Sequence, residues 1–303
     1  MRRGTSIPPA LELLRQAVNL DPGYSLAWAS IAEGFTVLVY FGFIRSSESK
    51  PQAIGAATRA IELDPQSAAA HVALAAAVLI HDNNVALARQ EFERALELNP
   101  DYVFGRQWYA LFFLQWVCGE FDRGVLEARR ALASDPLSAF GAMMLSASLF
   151  TAGQLDEAVS YGRIALERDP QAFVAYWALG ASLGAAGRLD EAKEVLEAGA
   201  ALSGRHFIAL QSLSSAYARV GQPAAAEVLY RELVDRSTRT YLPFTAMIVA
   251  ADAAGHRDEA MAFARQAWDA REPSFVLFAR HFPEFRPLHS DPRFAAILDE
   301  MNA

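Results

Sequence analysis

The chain has 303 residues, 53% of them apolar and 20% charged, with a net charge of −8 and an isoelectric point near 5.3. That balance, with Lys50 and Lys193 as the two lysines, argues against general affinity for nucleic acid or anionic membrane, since both need clustered cations. No apolar run reaches the ~18 residues of a membrane span, no apolar signal-peptide core follows Met1-Arg2-Arg3, and the lone Cys118 excludes a disulfide framework, so the cytoplasm is the simplest compartment.

In chain order, "PPALELLRQAVNLDP" spaces Ala10, Leu14 and Ala17 along one helical face and stops at Pro22, as the second helix of a pair would. The expectation is a start within a repeat, either because the chain is a piece of a longer protein or because this end packs on a partner. Asp-Pro or Asn-Pro pairs then recur at Pro22, Pro65, Pro100, Pro136 and Pro170. The first two prolines are 43 residues apart, and the later steps are 35, 36 and 34. The excess places an insertion within Val37–Pro51, "VLVYFGFIRSSESKP". Its apolar part is expected to prolong a helix and "SSES" to make a loop, either an ordinary extension or a partner contact.

From Gly119 the period is strict: Gly119, Gly153, Gly187, Gly221 and Gly255 step by 34. Five positions after each comes a small residue, Gly124, Ala158, Ala192, Ala226 or Ala260, and Leu111, Leu145, Leu179, Leu213 and Met247 keep the same step. Such self-similarity marks stacked helix–turn–helix units. In one unit, Val174, Leu179 and Leu183 form the apolar stripe, Gly187 closes the first helix, and Asp190-Glu191 open the second at its positive end. The later units lack the terminal proline, so the turns fall to Ser203-Gly204 and Ser237-Thr238.

At the end, Phe282, Phe285 and Leu288 are expected to fill the open side of the last unit. Asp291 or Ser290 caps a final helix with Pro292 in its first turn and Phe294, Ile297, Leu298 and Met301 on one face. His289, Ser290 and Asp291 are the residue types of a hydrolase triad, but neighbouring side chains at a helix start diverge. None of the six histidines has a metal-binding partner at helical spacing. His71 reads as a core histidine, Cys118 as an inert buried thiol, and Asp156-Glu157 as a helix start rather than an acid/base pair. His281 and His289 near Glu284 and Asp291 are weak candidates for a metal. No enzyme signature, metal site or cofactor site emerges.

The order aromatic, Leu-Gly, aromatic, Gly, Ala, aromatic, Ala, Pro over 34 residues resembles the tetratricopeptide repeat (TPR). Trp28, Trp108 and Tyr176 match the first aromatic, Leu179-Gly180 the Leu-Gly, and Phe35 and Tyr217 the second aromatic; Phe92 and Tyr230 match the third. The resemblance runs from about Pro8 to Glu272. It implies an all-α, right-handed superhelical solenoid of antiparallel helix pairs over 1–280, about seven units, with a C-terminal cap at 281–303. "GEFDRGVLEARRALASDPLSA" and the closing "PEFRPLHSDPRFAAIL" also resemble TPR tails of bacterial multidomain signalling proteins: winged-helix regulators, nucleotide cyclases and serine/threonine kinases. His289 stands where such tails carry arginine. This resemblance implies a non-enzymatic regulatory module that binds protein.

In TPR proteins certain first-helix positions line the concave surface. Carried over, they place Arg106, Tyr109, Phe113, Trp116 and Val117 there, then Phe140, Met143, Met144 and Phe150, then Val174 and Trp177, and then Ile208, Gln211, Ser212, Ser215 and Arg219. An aromatic, methionine-rich surface needs a cover. Three are open: self-packing of the superhelix, an apolar segment of a partner protein or of another domain of a longer parent chain, and a small apolar ligand. Arg106 and Arg219 are too few cations for a groove that clamps acidic peptides.

Overall fold

Each apolar stripe needs a neighbour, so helices stack in pairs along the chain. The computed structural model describes the backbone of residues 2–302 and the side chains of residues 7–301. The helices are α1 (Arg2–Leu20), α2 (Ser25–Tyr40), α3 (Ser46–Leu63), α4 (Ala68–Asp82), α5 (Val85–Leu98) and α6 (Val103–Trp108), which continues as a π-helix over Tyr109–Val117. Then come α7 (Phe121–Ser134), α8 (Ala139–Thr151), α9 (Leu155–Arg168), α10 (Phe173–Ala185), α11 (Leu189–Leu202) and α12 (Phe207–Arg219). The last are α13 (Pro223–Ser237), α14 (Phe244–Ala253), α15 (Arg257–Asp269), α16 (Pro273–Phe278), a 3₁₀ turn at Pro283–Leu288, and α17 (Pro292–Asn302). Even-numbered helices from α2 to α14 are the first members of pairs, and the odd-numbered helices that follow them are the second.

The periodic glycines do what their spacing predicts. From Gly119 to Gly255 all five have φ between +69° and +86°, the left-handed conformation that ends a helix at least cost in glycine. Asn83 (φ +49°) and Gly42 (φ +67°) take that place earlier in the chain. The small residues five positions on sit where two helices touch. At Gly124 a Cβ would stand 2.8 Å from the Ala110 carbonyl oxygen, so even alanine there would push the pair apart. Where the terminal proline is missing, Ser203 Oγ accepts the His206 N–H at 3.1 Å and Gly204 turns the chain at φ +62°.

"SSES" does not make a loop. Ser46 opens α3, Glu48 lies in its first turn, and Ser49 Oγ donates to the Phe35 carbonyl at 3.0 Å. A carboxylate at the positive end and a buried hydroxyl with a partner draw the tetrapeptide into the helix. The irregular part of the insertion is Phe41–Arg45, and it crosses to the far side of the array. Phe41 meets Phe173 at 6.4 Å and His206 at 6.1 Å, and the Arg45 guanidinium lies 4.5 Å from the Tyr241 ring centre.

The C-terminal segment also leaves the repeat path and folds back inside. Phe278 and Phe282 stand edge-on to Trp116 at 5.0 and 5.4 Å, and Phe282 stacks on Trp177 at 6.1 Å. Arg286 donates to the Thr151 carbonyl at 3.3 Å, and Ser212 Oγ donates to Glu284 at 2.7 Å. Asp291 Oδ1 then accepts the Arg293 N–H at 3.0 Å to start α17. Phe294, Ile297 and Met301 are buried, with Leu298 packed beside them. His289 Nε2 bonds the Ala279 carbonyl and Ser290 Oγ the Pro287 carbonyl, so the three triad-type side chains serve separate partners.

Glu284 ties this segment to α12. Burial raises its carboxyl from the ordinary 4.5 to about 7, against the pull of Ser212, Gln211 and Arg219. Its Oε2 has no hydrogen-bond partner among the described residues. A raised carboxyl favours the fold fully below about pH 4.5, and that contribution is lost as pH rises through 7. At about 1.36 kcal/mol per pH unit the loss is on the order of 3 kcal/mol. Urea denaturation at a series of pH values should show stability declining from pH 4.5 to 7, with a shallower decline in Glu284→Gln; an identical slope in the variant would refute the assignment. Deleting residues 288–303 uncovers Trp268, Phe275 and Phe285. It should lower the melting temperature and cause aggregation, and a monodisperse truncation with unchanged melting would contradict the packing described.

Candidate functional site

The even-numbered helices turn one face inward, and the space between them is not fully filled. A cavity of about 700 Å³ remains. Glu33, Val37 and Tyr40 face it from α2, and Phe104, Trp108, Phe112 and Trp116 from α6 and the π-helix. Phe140, Met143 and Met144 come from α8, Val174 and Trp177 from α10, and Ile208 and Gln211 from α12. Phe278 and Phe282 of the folded-back segment form part of the wall. α1 contributes Ile7, Leu11 and Leu14, because its apolar face packs over α2. Gly34 permits this: a Cβ there would lie 2.8 Å from Leu11 Cδ2.

Of the residues expected on the concave surface, Trp116, Phe140, Met143, Met144, Trp177 and Gln211 share this chamber, with Val174 and Ile208. Phe150, Ser212, Ser215 and Arg219 line a smaller cavity of about 300 Å³ beside Glu284, where Arg219 donates to the Gly184 carbonyl at 2.6 Å. Arg106, Tyr109 and Phe113 lie elsewhere, between helices. Arg106 pairs with Glu127 and the Pro100 carbonyl. Tyr109 donates to Glu93 at 2.8 Å and stacks with Phe113, over which Arg89 sits at 5.0 Å. Val117 is buried outside the chamber.

The cause is a shift of register. Nineteen residues separate Pro100 from Gly119, against 17 between Pro136 and Gly153. The π-helix takes up surplus length, since its wider turn holds one residue more. Counting back from the glycine therefore names the wrong face of α6. Counting forward from the proline aligns Phe104 with Phe140 and Val174, and Arg106 with Trp28, His71 and Tyr176. Each of those four reaches the carbonyl of the proline six residues before it. Arg106, not Trp108, thus holds the first aromatic's place in this repeat, and Trp108 turns into the chamber. The 36-residue step from Pro100 to Pro136 was the sequence signal for this shift.

The chamber's polar groups are few. Glu33 and Tyr40 are accessible to the cavity but surrounded by protein, and burial raises the Glu33 carboxyl to about 7 and the Tyr40 phenol upward. Burial lowers His206 to about 4, leaving it neutral. Asp169 also lines the wall, and among the described residues no Lys or Arg does. Gln211 Oε1 is buried without a hydrogen-bond partner.

The other chemistry-bearing residues have structural partners. His71 Nδ1 lies 2.5 Å from Glu91. Cys118 is half-buried, with Arg89 Nη2 at 3.4 Å, and burial pushes its thiol up. Among the described residues no three His, Cys, Asp or Glu side chains gather to hold a metal, and no helix is long and apolar enough to cross a membrane.

Residues 46–103 and 114–173 match the family described as tetratricopeptide repeat. Among solved structures, the chain is similar to PilW, described as a widely conserved type IV pilus biogenesis factor, with 19% identity over 69% of this chain and 95% of that one, at a TM-score of 0.54. It is similar to human IFIT1, solved as a dimer with m7Gppp-AAAA, with 16% identity over 88% and 69% and a TM-score of 0.64. A chain of the APC/C hetero-tetramer Cut9–Hcn1 gives 14% identity over 98% of this chain and 53% of its own length, at 0.65. No curated protein matches the sequence. At these identities the likeness concerns fold. The chain is an all-helical solenoid of tetratricopeptide-type helix pairs, with tetratricopeptide repeats recognised at residues 46–103 and 114–173.

Proposed function

We propose that the chain is a non-catalytic, regulatory interaction module of a bacterial signalling system, which holds a short apolar segment of a partner protein, or of another domain of a longer parent chain, in the concave chamber. TPR proteins in general mediate protein–protein interaction. The observation that carries the reading is the chamber itself: about 700 Å³ of space faced by aromatic and methionine side chains remains after the chain's own C-terminal segment has packed inside. Cavities of ~300–1,000 Å³ with mostly apolar walls and a few polar groups are the usual form of a binding site. Methionine suits such a wall because its flexible thioether adapts to an irregular occupant. The oligonucleotide present with human IFIT1 does not transfer to this chain, whose described chamber wall holds no Lys or Arg.

Val174→Trp adds bulk to the wall from an ordered position on α10. Against a panel of fluorescently labelled apolar heptapeptides, the wild-type chain should bind at least some, and Val174→Trp should lose about tenfold in affinity or more with an unchanged melting temperature. A wild type that binds none, or a variant that binds equally, would refute the chamber as the site.

A further inference from the structure

The charged and polar groups of the chamber are biased to one sign. Glu33 and Asp169 line it, His206 is neutral with Arg236 acting on it from outside the wall, and among the described residues no Lys or Arg lines the chamber. The Glu33 carboxyl receives one long hydrogen bond, 3.5 Å from the Tyr102 hydroxyl, and forms no ion pair with a described basic side chain. Beside it runs a continuous aromatic wall. Phe104 lies 5.9 Å from Trp108, Trp108 stacks on Phe112 at 4.4 Å, and Phe112 meets Tyr40 edge-on at 5.0 Å. Tyr40 returns to α2, two helical turns beyond Glu33 on the same face.

Building on the chamber reading above, we propose that the occupant is an apolar body carrying one ammonium group, which Glu33 receives beside the aromatic wall of Tyr40, Phe104, Trp108 and Phe112. Two physical terms favour it. A buried carboxylate without a counter-charge is costly, which is why the Glu33 carboxyl is held up at about 7, and an ammonium supplies that counter-charge. The negative faces of aromatic rings add attraction for the same cation. An occupant with a carboxylate or phosphate would bring another negative charge beside Glu33 and Asp169, with no Lys or Arg among the described lining residues to meet it. A neutral occupant would leave Glu33 as it is. Gln211 Oε1, buried without a partner on the same lining, can accept an N–H or O–H from the occupant.

The ammonium can come from a free amine or from a lysine within an apolar peptide. Isothermal titration of the full chain compares decylamine with decanol and decanoate, and acetyl-Phe-Leu-Lys-Leu-Phe-amide with its norleucine counterpart. A cationic probe should bind at least about tenfold more tightly than its neutral counterpart. Glu33→Gln should erase that preference at an unchanged melting temperature, and Glu33→Asp should retain part of it. Preference confined to decylamine identifies a small amine; preference confined to the lysine peptide identifies a protein segment. Neutral probes that bind as tightly as charged ones overturn the ammonium and leave the chamber reading standing. A preference that survives Glu33→Gln overturns the role of Glu33, and no binding by any probe overturns both readings.

Discussion

The closed form of this solenoid depends on the contact of Trp116 with Phe278 and Phe282. The indole is almost fully buried, donates to Thr151 Oγ1 at 3.2 Å, and stands nearly perpendicular to two rings of the C-terminal segment. Edge-to-face pairs contribute about 0.5–1.5 kcal/mol each beyond the area they bury. An array of helix pairs left open would keep those rings in water. The apolar lining therefore draws the C-terminal segment inward, and Glu284, Arg286 and His289 find their partners along that path.

The parts that break the period create the site. The repeats supply walls, but Phe41–Arg45 bridges from the first pair to α10, α12 and the turn before α14. The segment from α16 to the 3₁₀ turn occupies the interior, and α1 closes over α2. Each departure covers apolar surface that the repeat geometry exposes. What they leave uncovered is the cavity of about 700 Å³. The π-helix belongs to the same set of departures, since its extra length rotates Trp108 inward and Tyr109 outward.

Outside, the period has a different consequence. Arg129 meets Glu157 at 2.5 Å and Arg163 meets Glu191 at 3.1 Å, so pairs one repeat apart link successive second helices in the same way. Exposed pairs of this kind are worth about 0–1 kcal/mol each, too little to hold the array together. They occupy Arg129 and Arg163 with carboxylates of the next repeat. Inside, the described chamber wall carries acid without base. The outer and inner faces are thus chemically separate surfaces.

The helix pairs, their turns at Gly119 to Gly255, the close approach at Gly124 and the final helix from Pro292 were legible in the sequence, because each follows from a local rule of backbone conformation or side-chain size. So was much of the chamber wall, from Phe140 to Gln211, where one 34-residue step maps each helix face onto the next. Arg106, Tyr109 and Phe113 were misplaced because a π-turn changes which face points inward without changing the order of residue types. Glu33, Tyr40 and Phe104 lie outside the faces that the 34-residue step names, although Glu33 is the one charged residue of α2 and stands among the buried Ile31, Ala32 and Phe35. Periodicity determines local structure and the stacking of neighbours. Only the tertiary structure decides what covers the inner surface, because that choice lies between segments more than a hundred residues apart, such as Trp116 and Phe278, where burial of whole aromatic side chains outweighs any local preference.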